Sequence, residues 1–229
     1  MPNIVKNTTF PGLFDLLAPH SCRGCGAIGS VLCNRCKKYI LMNRKNICPN
    51  CKEPFDSPKC PNCPDFPPSF IIDERNTLIG TLVHELKYNS VRALAPHLAD
   101  ILDQILPPLE GPVNIVPLPT ISKHIRARGL DHTKLIAKHL ARRHSNFYVT
   151  DILIRANNTV QVGSSAKARL SQAAKAYTIG PKAQINPNAT YLLLDDVWTT
   201  GASMHAASKK ILSAGADKII ITILALSTI

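Results

Sequence analysis

Leu192-Leu193-Leu194-Asp195-Asp196-Val197-Trp198-Thr199-Thr200-Gly201-Ala202-Ser203 joins a continuous apolar run to two acids, a hydroxyl-rich turn and the start of a helical pattern. A buried parallel strand delivers a loop and a helix N-terminus to the rim of an α/β sheet in this way, and ligands bind at that rim. Thr199, Thr200, Gly201, Ala202 and Ser203 offer successive backbone N–H groups, hydroxyls and the positive end of a helix to one phosphate. Asp195 and Asp196 stand one step earlier, placed for sugar hydroxyls or for a metal bound to them. A Walker B strand also ends in acid, but the chain contains no G-x-x-x-x-G-K-[ST] to partner it.

Outward from this stretch the pattern alternates between strand and helix, which predicts a parallel sheet flanked by helices. Residues 69–73 read as a first strand, and residues 77–88 and 91–106 as helices. The second of these carries Leu94, Leu98, Ile101, Leu102 and Ile105 on one face. Residues 113–116 form a buried strand that ends in Pro117-Leu118-Pro119. Residues 130–143 read as a helix, 148–154 as a strand and 166–176 as a helix. Residues 191–194 make the strand of the phosphate loop, 202–214 its helix, and 218–226 an almost wholly apolar strand.

All eight cysteines fall between residues 22 and 63, as four Cys-x-x-Cys pairs: Cys22/Cys25, Cys33/Cys36, Cys48/Cys51 and Cys60/Cys63. Each pair can wrap one side of a tetrahedral thiolate site, so two four-cysteine sites for Zn²⁺ are expected. Short loops favour joining the first pair with the second and the third with the fourth, because closing them costs less chain entropy. A crossed arrangement is the alternative. A disulfide framework would need an oxidising compartment. Residues 1–20 hold one Lys and are interrupted by Pro11, Asp15 and Pro19, a poor signal peptide. No run reaches the roughly 20 apolar residues of a membrane helix. A soluble, cytoplasmic protein with metal-bound cysteines and no membrane insertion is expected.

Two further patterns are decoys. Gly24-Cys25-Gly26-Ala27-Ile28-Gly29 satisfies G-x-G-x-x-G, but no strand precedes it and a candidate zinc ligand sits inside it. His84-Glu85 opens a zincin-like pattern that Tyr88 leaves without its second histidine.

With 229 residues, the chain divides into a double zinc ribbon over residues 1–66 and an α/β domain over residues 67–229. The metal-binding stretch, about 45 residues long, is too small for a self-sufficient core, and metal binding can supply the missing folding energy. Pro61, Pro64, Pro67 and Pro68 mark the boundary as a stiff linker. Formal net charge is +12, from 27 basic and 15 acidic residues. Two zinc-loaded sites, each four thiolates against one dication, would lower it to about +8. That balance suits phosphate-rich ligands or nucleic acid. With five Tyr, six Phe and one Trp, no aromatic platform for stacking single strands is evident.

The stretch 192–203 resembles the phosphoribosyl-pyrophosphate (PRPP) motif of type I phosphoribosyltransferases. Val116-Pro117-Leu118-Pro119 followed by Arg126-Ala127-Arg128-Gly129-Leu130-Asp131-His132 is similar to the V-P-L-P…R-x-R-G-[FL]-[ND]-[QH] pattern of the ComF family, also called GntX-like. Leu86-Lys87-Tyr88 resembles that family's L-K-[FY] element, and Arg155, Thr159, Gln161, Arg169 and Tyr177 its R…T…Q…R…A-[FY] stretch. His132 stands where Gln is commoner, Gln172 where Asn is usual and Lys175 where Gly is usual. With the cysteine pairs in front, the resemblance spans essentially the whole chain.

What the resemblance implies is a zinc ribbon joined to a type I phosphoribosyltransferase-like sheet, with PRPP and Mg²⁺ as ligands. Asp195 and Asp196 would be the catalytic acids, holding the ribose hydroxyls. Val197, Thr199, Thr200, Gly201, Ala202 and Ser203 would surround the 5′-phosphate. Pro117 and Leu118, in the turn after the first core strand, would meet pyrophosphate through backbone amides. Lys87, Arg126, Arg128 and Arg155 would neutralise its charge, and His84, His124 or His132 could move a proton. The ribbon would occupy the place of the hood that binds the acceptor, whose identity is not legible. The family connection implies a role in natural competence, the handling of imported single-stranded DNA, with DNA and a helicase as partners. A non-catalytic module for nucleic acid or helicase that keeps the PRPP fold is the alternative.

Overall fold

The structure, a computed structural model, describes residues 20–44, 46–55, 57, 59–121, 125, 126, 128–155 and 176–227. Seven strands lie among them: β1 (Ser69–Glu74), β2 (Val113–Pro117), β3 (Phe147–Val149), β4 (Leu153–Arg155), β5 (Tyr177–Ile179), β6 (Thr190–Trp198) and β7 (Lys218–Leu226). Five form one all-parallel sheet in the order β1-β7-β6-β2-β3, and β4 and β5 make a separate antiparallel pair. The helices are α1 (Asn34–Asn43), α2 (Leu78–Tyr88), α3 (Ala95–Ile105), α4 (His132–Ala141) and α5 (Ala202–Ser213). The expected α/β architecture, a parallel sheet flanked by helices with two four-cysteine clusters towards the N-terminus, is what the structure shows.

Helices cover both faces of the sheet, which is why β7 can be buried at every position from Ile219 to Leu226. Leu192 and Leu194 of β6 share one apolar cluster with Leu82 of α2, Leu98 of α3 and Ile136 of α4. Tyr191 and Leu193 belong to the other, with Ala207 and Ile211 of α5. This is the period-two alternation of a strand with two dry faces. Burying each large aliphatic side chain contributes about 2 kcal/mol. Asp131 caps α4, its carboxylate accepting from the Lys134 amide at 3.0 Å.

Where the sheet divides decides where a ligand can enter. β2 follows β6 only as far as Pro117 opposite Leu194, whereas β7 follows it to Trp198 opposite Leu226. Beyond Leu194, one edge of β6 no longer has β2 beside it. The chain turns outward in opposite directions from β2 and β6, and the crevice between their C-terminal ends is the topological switch point of an open α/β sheet.

Several elements differ from expectation, among them α1 (Asn34–Asn43) and β5 (Tyr177–Ile179), which no expected element covers. Residues 148–154 are not one strand: the Thr150 amide donates to Ile115 O at 2.9 Å, closing the parallel ladder, and Gly180 N then donates to Ile152 O at 2.8 Å, opening the β4–β5 pair. Residues 91–106 begin with a single 3₁₀ turn, Arg92–Leu94, before α3, with a proline in the first turn of the helix. β6 continues through both acids to Trp198 instead of stopping at Leu194, because β7 is long enough to pair with it. The helix expected over residues 166–176 lies outside the described residues, apart from its last position.

The cysteine-rich segment wraps the β1 edge of the sheet. Val31, Leu32 and Ile40 enter the cluster beneath α2 and α3, and Phe55 and Phe66 enter the one on the α5 side. Lys37 of α1 pairs with Asp100 of α3 at 2.5 Å. Arg44 Nε donates to Ile71 O at 3.1 Å, engaging a carbonyl of the outermost strand, β1.

Candidate ligand cleft and metal centres

The eight cysteines gather as Cys22/Cys25/Cys33/Cys36 and Cys48/Cys51/Cys60/Cys63, with the sulfurs of each quartet within 4.8 Å of one another. Of the two arrangements the spacing allowed, the structure has the sequential one. Cys25 and Cys33 sulfurs lie 3.6 Å apart, as do those of Cys51 and Cys60. That is far beyond an S–S bond and close to the roughly 3.8 Å edge of a tetrahedron with 2.3 Å metal–sulfur distances. The two quartets open with the same knuckle. Cys22 N donates to Ala27 O at 2.8 Å and Gly26 N to Cys22 O at 2.8 Å; Cys48 N donates to Glu53 O at 2.9 Å and Lys52 N to Cys48 O at 2.8 Å. Gly26 and Lys52 take the same left-handed turn, with φ of 75° and 67°. Gly24 is needed for closeness, since a Cβ there would stand 2.8 Å from the Cys36 sulfur.

Thiol chemistry fits a cation. Burial, joined by hydrogen bonds from the neighbouring cysteines, pushes Cys36 up to about 12. Burial also pushes Cys48 up to about 12, against the pull of the Cys51 and Asn50 amides. Burial would raise Cys22 too, but the amides of Cys33, Cys25 and Gly24 outweigh it and bring that thiol down to about 6. Four thiolates cannot share either quartet without a positive ion, and with one they match the ligand set of structural zinc.

At the switch point, a cleft of about 210 Å³ is lined by Lys87, Thr120, Arg128, His132, Arg155 and both acids, among others. Beside it, a 50 Å³ pocket is formed by residues 197–204 together with Asp195 and Ile223. Asp195 and Ser203 line both. Gly201 makes the small pocket possible: its φ is 74°, and a Cβ there would fall 2.1 Å from Cζ2 of Trp198. Only glycine suits both conditions.

Neighbouring acids on a strand face opposite ways, and the two environments diverge accordingly. Asp196 turns to the side of α2 and α4, where Lys87 Nζ reaches its carboxylate at 2.7 Å and His132 Nε2 bonds the same oxygen. Burial works to raise this carboxyl, but the His132 hydrogen bond and the Lys87 charge prevail and hold it near 2. Among the described residues Asp195 has no such partner, and it accepts from the Asp196 amide at 2.8 Å. Burial and the adjacent Asp196 charge push its carboxyl up to about 7, Lys87 and Arg155 offsetting only part.

On the Asp195 side Arg155 lies over the Tyr177 ring, 5.6 Å from its centroid, and donates from Nη1 to the Tyr177 hydroxyl at 3.3 Å. Burial pushes the Tyr177 hydroxyl up, with Ser203 and Arg155 offsetting part of the rise. Arg155 Nε and His132 Nδ1 are buried without a hydrogen-bond partner among the described residues. Arg128 sits over Tyr88, 5.1 Å from the ring centre.

Of the sequence-named residues, Asp195, Asp196, Lys87, Arg128, Arg155 and Leu118 meet around the cleft, and Val197, Thr199, Thr200, Gly201, Ala202 and Ser203 around the small pocket. Arg126 is exposed and lines neither, and His84 lies outside them beside Tyr88. Thr159, Gln161, Arg169 and His124 fall outside the described residues. One expectation is corrected. The turn after β2 cannot offer its early amides, because Pro117 and Pro119 have none and Leu118 N donates to Leu194 O at 2.9 Å. Thr120 and Ile121, which also line the cleft, are the next N–H donors along the turn. Tyr177 also lines the cleft, and its place at the end of the R…A-[FY] stretch is the signal that points to it.

No protein-family model matches the chain, and no curated protein matches it. Among the described residues, no helix is long and apolar enough to cross a membrane.

Proposed function

We propose that the chain binds PRPP as its Mg²⁺ complex at the switch-point cleft and carries a structural Zn²⁺ in each cysteine quartet. One observation carries the first reading: a phosphate-sized pocket lined by residues 199–203 shares Asp195 and Ser203 with a larger cleft that holds three cationic side chains. Residues 199–203 would hold the 5′-phosphate. Asp195 would accept from the ribose hydroxyls, while Lys87, Arg128 and Arg155 would face the diphosphate. Mg²⁺, entering as the ligand's counter-ion, would neutralise part of that charge. Asp196 would act through Lys87 and His132, holding the ammonium at the mouth of the cleft until a diphosphate competes for it.

Where transfer follows, the C1–O bond to pyrophosphate breaks with its electron pair on the leaving oxygen, and the three cations stabilise the charge that develops. By its likeness to the ComF family, the proposed setting is cytoplasmic handling of imported single-stranded DNA during natural transformation. A second reading, a nucleic-acid or helicase-docking module, is favoured by α1, which shows Arg35, Lys38, Tyr39 and Met42 to solvent on one face, with Tyr39 60% and Met42 73% exposed.

Calorimetric titration of PRPP with Mg²⁺ into zinc-loaded protein tests the first reading, with Asp195→Asn as control. Micromolar binding that weakens at least tenfold in the variant is the expected result. Equal affinity in the two proteins would refute the site. Absence of binding, together with salt-sensitive binding of a single-stranded oligonucleotide that Lys38→Glu abolishes, would establish the second.

A further inference from the structure

We infer that Phe66 is a positioning residue that ties the second cysteine quartet to the phosphate loop, so that metal in this quartet sets the loop's shape. This rests on the reading of residues 199–203 as a phosphate site. The connection is a short chain of contacts. Cys63 N donates to Cys60 O at 3.3 Å, and Phe66 N donates to Cys63 O at 3.1 Å, so the turn that carries two of the four sulfurs also fixes the backbone of Phe66. The Phe66 ring, 8% exposed, stands edge-on to Trp198 with centroids 5.8 Å apart and to His205 at 5.3 Å. Trp198 and His205 are themselves 5.7 Å apart.

These two partners bracket the loop: Trp198 is the residue before it, and His205 lies on the first turn of α5 after it. The indole of Trp198 occupies the space a Gly201 Cβ would need, so ring and loop backbone are in direct contact. Between the quartet and the phosphate-binding amides there is only one aromatic side chain and one indole. In a packed interior, such a contact transmits displacement instead of absorbing it.

The first quartet is placed differently. Cys22 and Cys36 join the apolar cluster on the opposite face of the sheet, and Arg23 pairs with Glu85 of α2 at 3.4 Å. It supports the helix that carries Lys87 and has no path of this kind to Trp198. The two metal sites therefore have separable consequences. Loss of metal from the second frees the turn at Cys60–Cys63, removes the edge contact on Trp198 and lets the loop relax. Loss from the first leaves that junction in place.

Trp198 is the only tryptophan of the chain, so its emission reports this junction alone. The experiment compares full-length zinc-loaded protein with Phe66→Leu, Cys63→Ser and Cys25→Ser, reading zinc content, tryptophan emission and affinity for PRPP with Mg²⁺. Phe66→Leu is expected to keep two zinc equivalents, red-shift the emission and weaken PRPP binding roughly three- to tenfold. Cys63→Ser should lose one equivalent and show the same red shift, and Cys25→Ser should lose one equivalent with emission unchanged. The inference is overturned by Phe66→Leu protein with normal emission or normal affinity, or by an equal red shift in Cys25→Ser. Should Cys63→Ser fail to fold, Phe66→Leu still decides. A wild-type protein that binds no PRPP would refute the ligand reading, while the emission of Phe66→Leu would still judge the tie.

Discussion

Asp195 and Asp196 share a peptide bond but not a chemistry, and the difference makes a pH prediction with a definite sign. The Asp195 carboxyl moves from its ordinary 3.8 up to about 7 on folding, so the native state holds a proton that the unfolded chain has already released. Its contribution to stability therefore falls as pH rises from about 4 to about 7 and is flat above. Asp196, held near 2, works the other way: its stabilisation is present above about 4 and is lost only in strong acid. Asp195→Asn should thus be more stable relative to wild type at pH 8 than at pH 5.5. The gap should widen by up to about 2 kcal/mol between the two, a range in which thiolate metal sites stay loaded. Thermal unfolding at both pH values checks this, and a gap of constant size would contradict the assigned environment. Asp196→Asn should instead cost about 3 kcal/mol at either pH, since the Lys87 ammonium would be left without its counter-charge.

The element that carries the site, β6 with its loop and α5, was largely legible from its apolar run, acidic pair and glycine. What the local pattern could not show was how far the strand runs, because that depends on β7, a partner more than 20 residues away. The partners of Asp196 were hidden for the same reason. Lys87 and His132 come from two different helices, and nothing near residue 196 points to them. Zinc-ligand spacing reads as ribbon and does not announce α1, although Cys33 caps the helix by accepting from the Cys36 amide at 3.5 Å. The split of residues 148–154 lay in backbone hydrogen bonds to Ile115 and Gly180, which no side-chain pattern announces. At this scale the loop offers the sharpest substitution. Gly201→Ala must take a left-handed backbone at a cost of about 1–2 kcal/mol and must also push the Trp198 ring aside. A lowered melting temperature with PRPP binding reduced at least tenfold is expected. A variant with wild-type affinity would show that the loop tolerates displacement of that ring.

Taken whole, the molecule has its cysteine-rich segment set across the sheet edge, one quartet committed to each apolar cluster. Removal of metal should accordingly weaken the entire structure and not the cysteine segment alone. Protein purified with zinc is expected to contain two equivalents per chain, and a strong chelator should lower the melting temperature of the sheet itself, followed by circular dichroism. A chelated protein whose sheet melts as before would show that the segment merely rests on the edge.

The pairing of β1 with β7 has a consequence for the order of events in folding. Ser69 lies opposite Ile221, so among the described residues the strand that pairs with β1 is made more than 150 residues after it. Until β7 leaves the ribosome, β1 and one side of β6 lack the strand they pair with. Such distant closure slows folding and leaves sticky edges open to other chains. The nascent protein is thus open to misassembly while the chain from β1 to β7 is made, and the cysteine segment, which precedes β1 and lies against the same edge, is positioned to shield β1 while it waits.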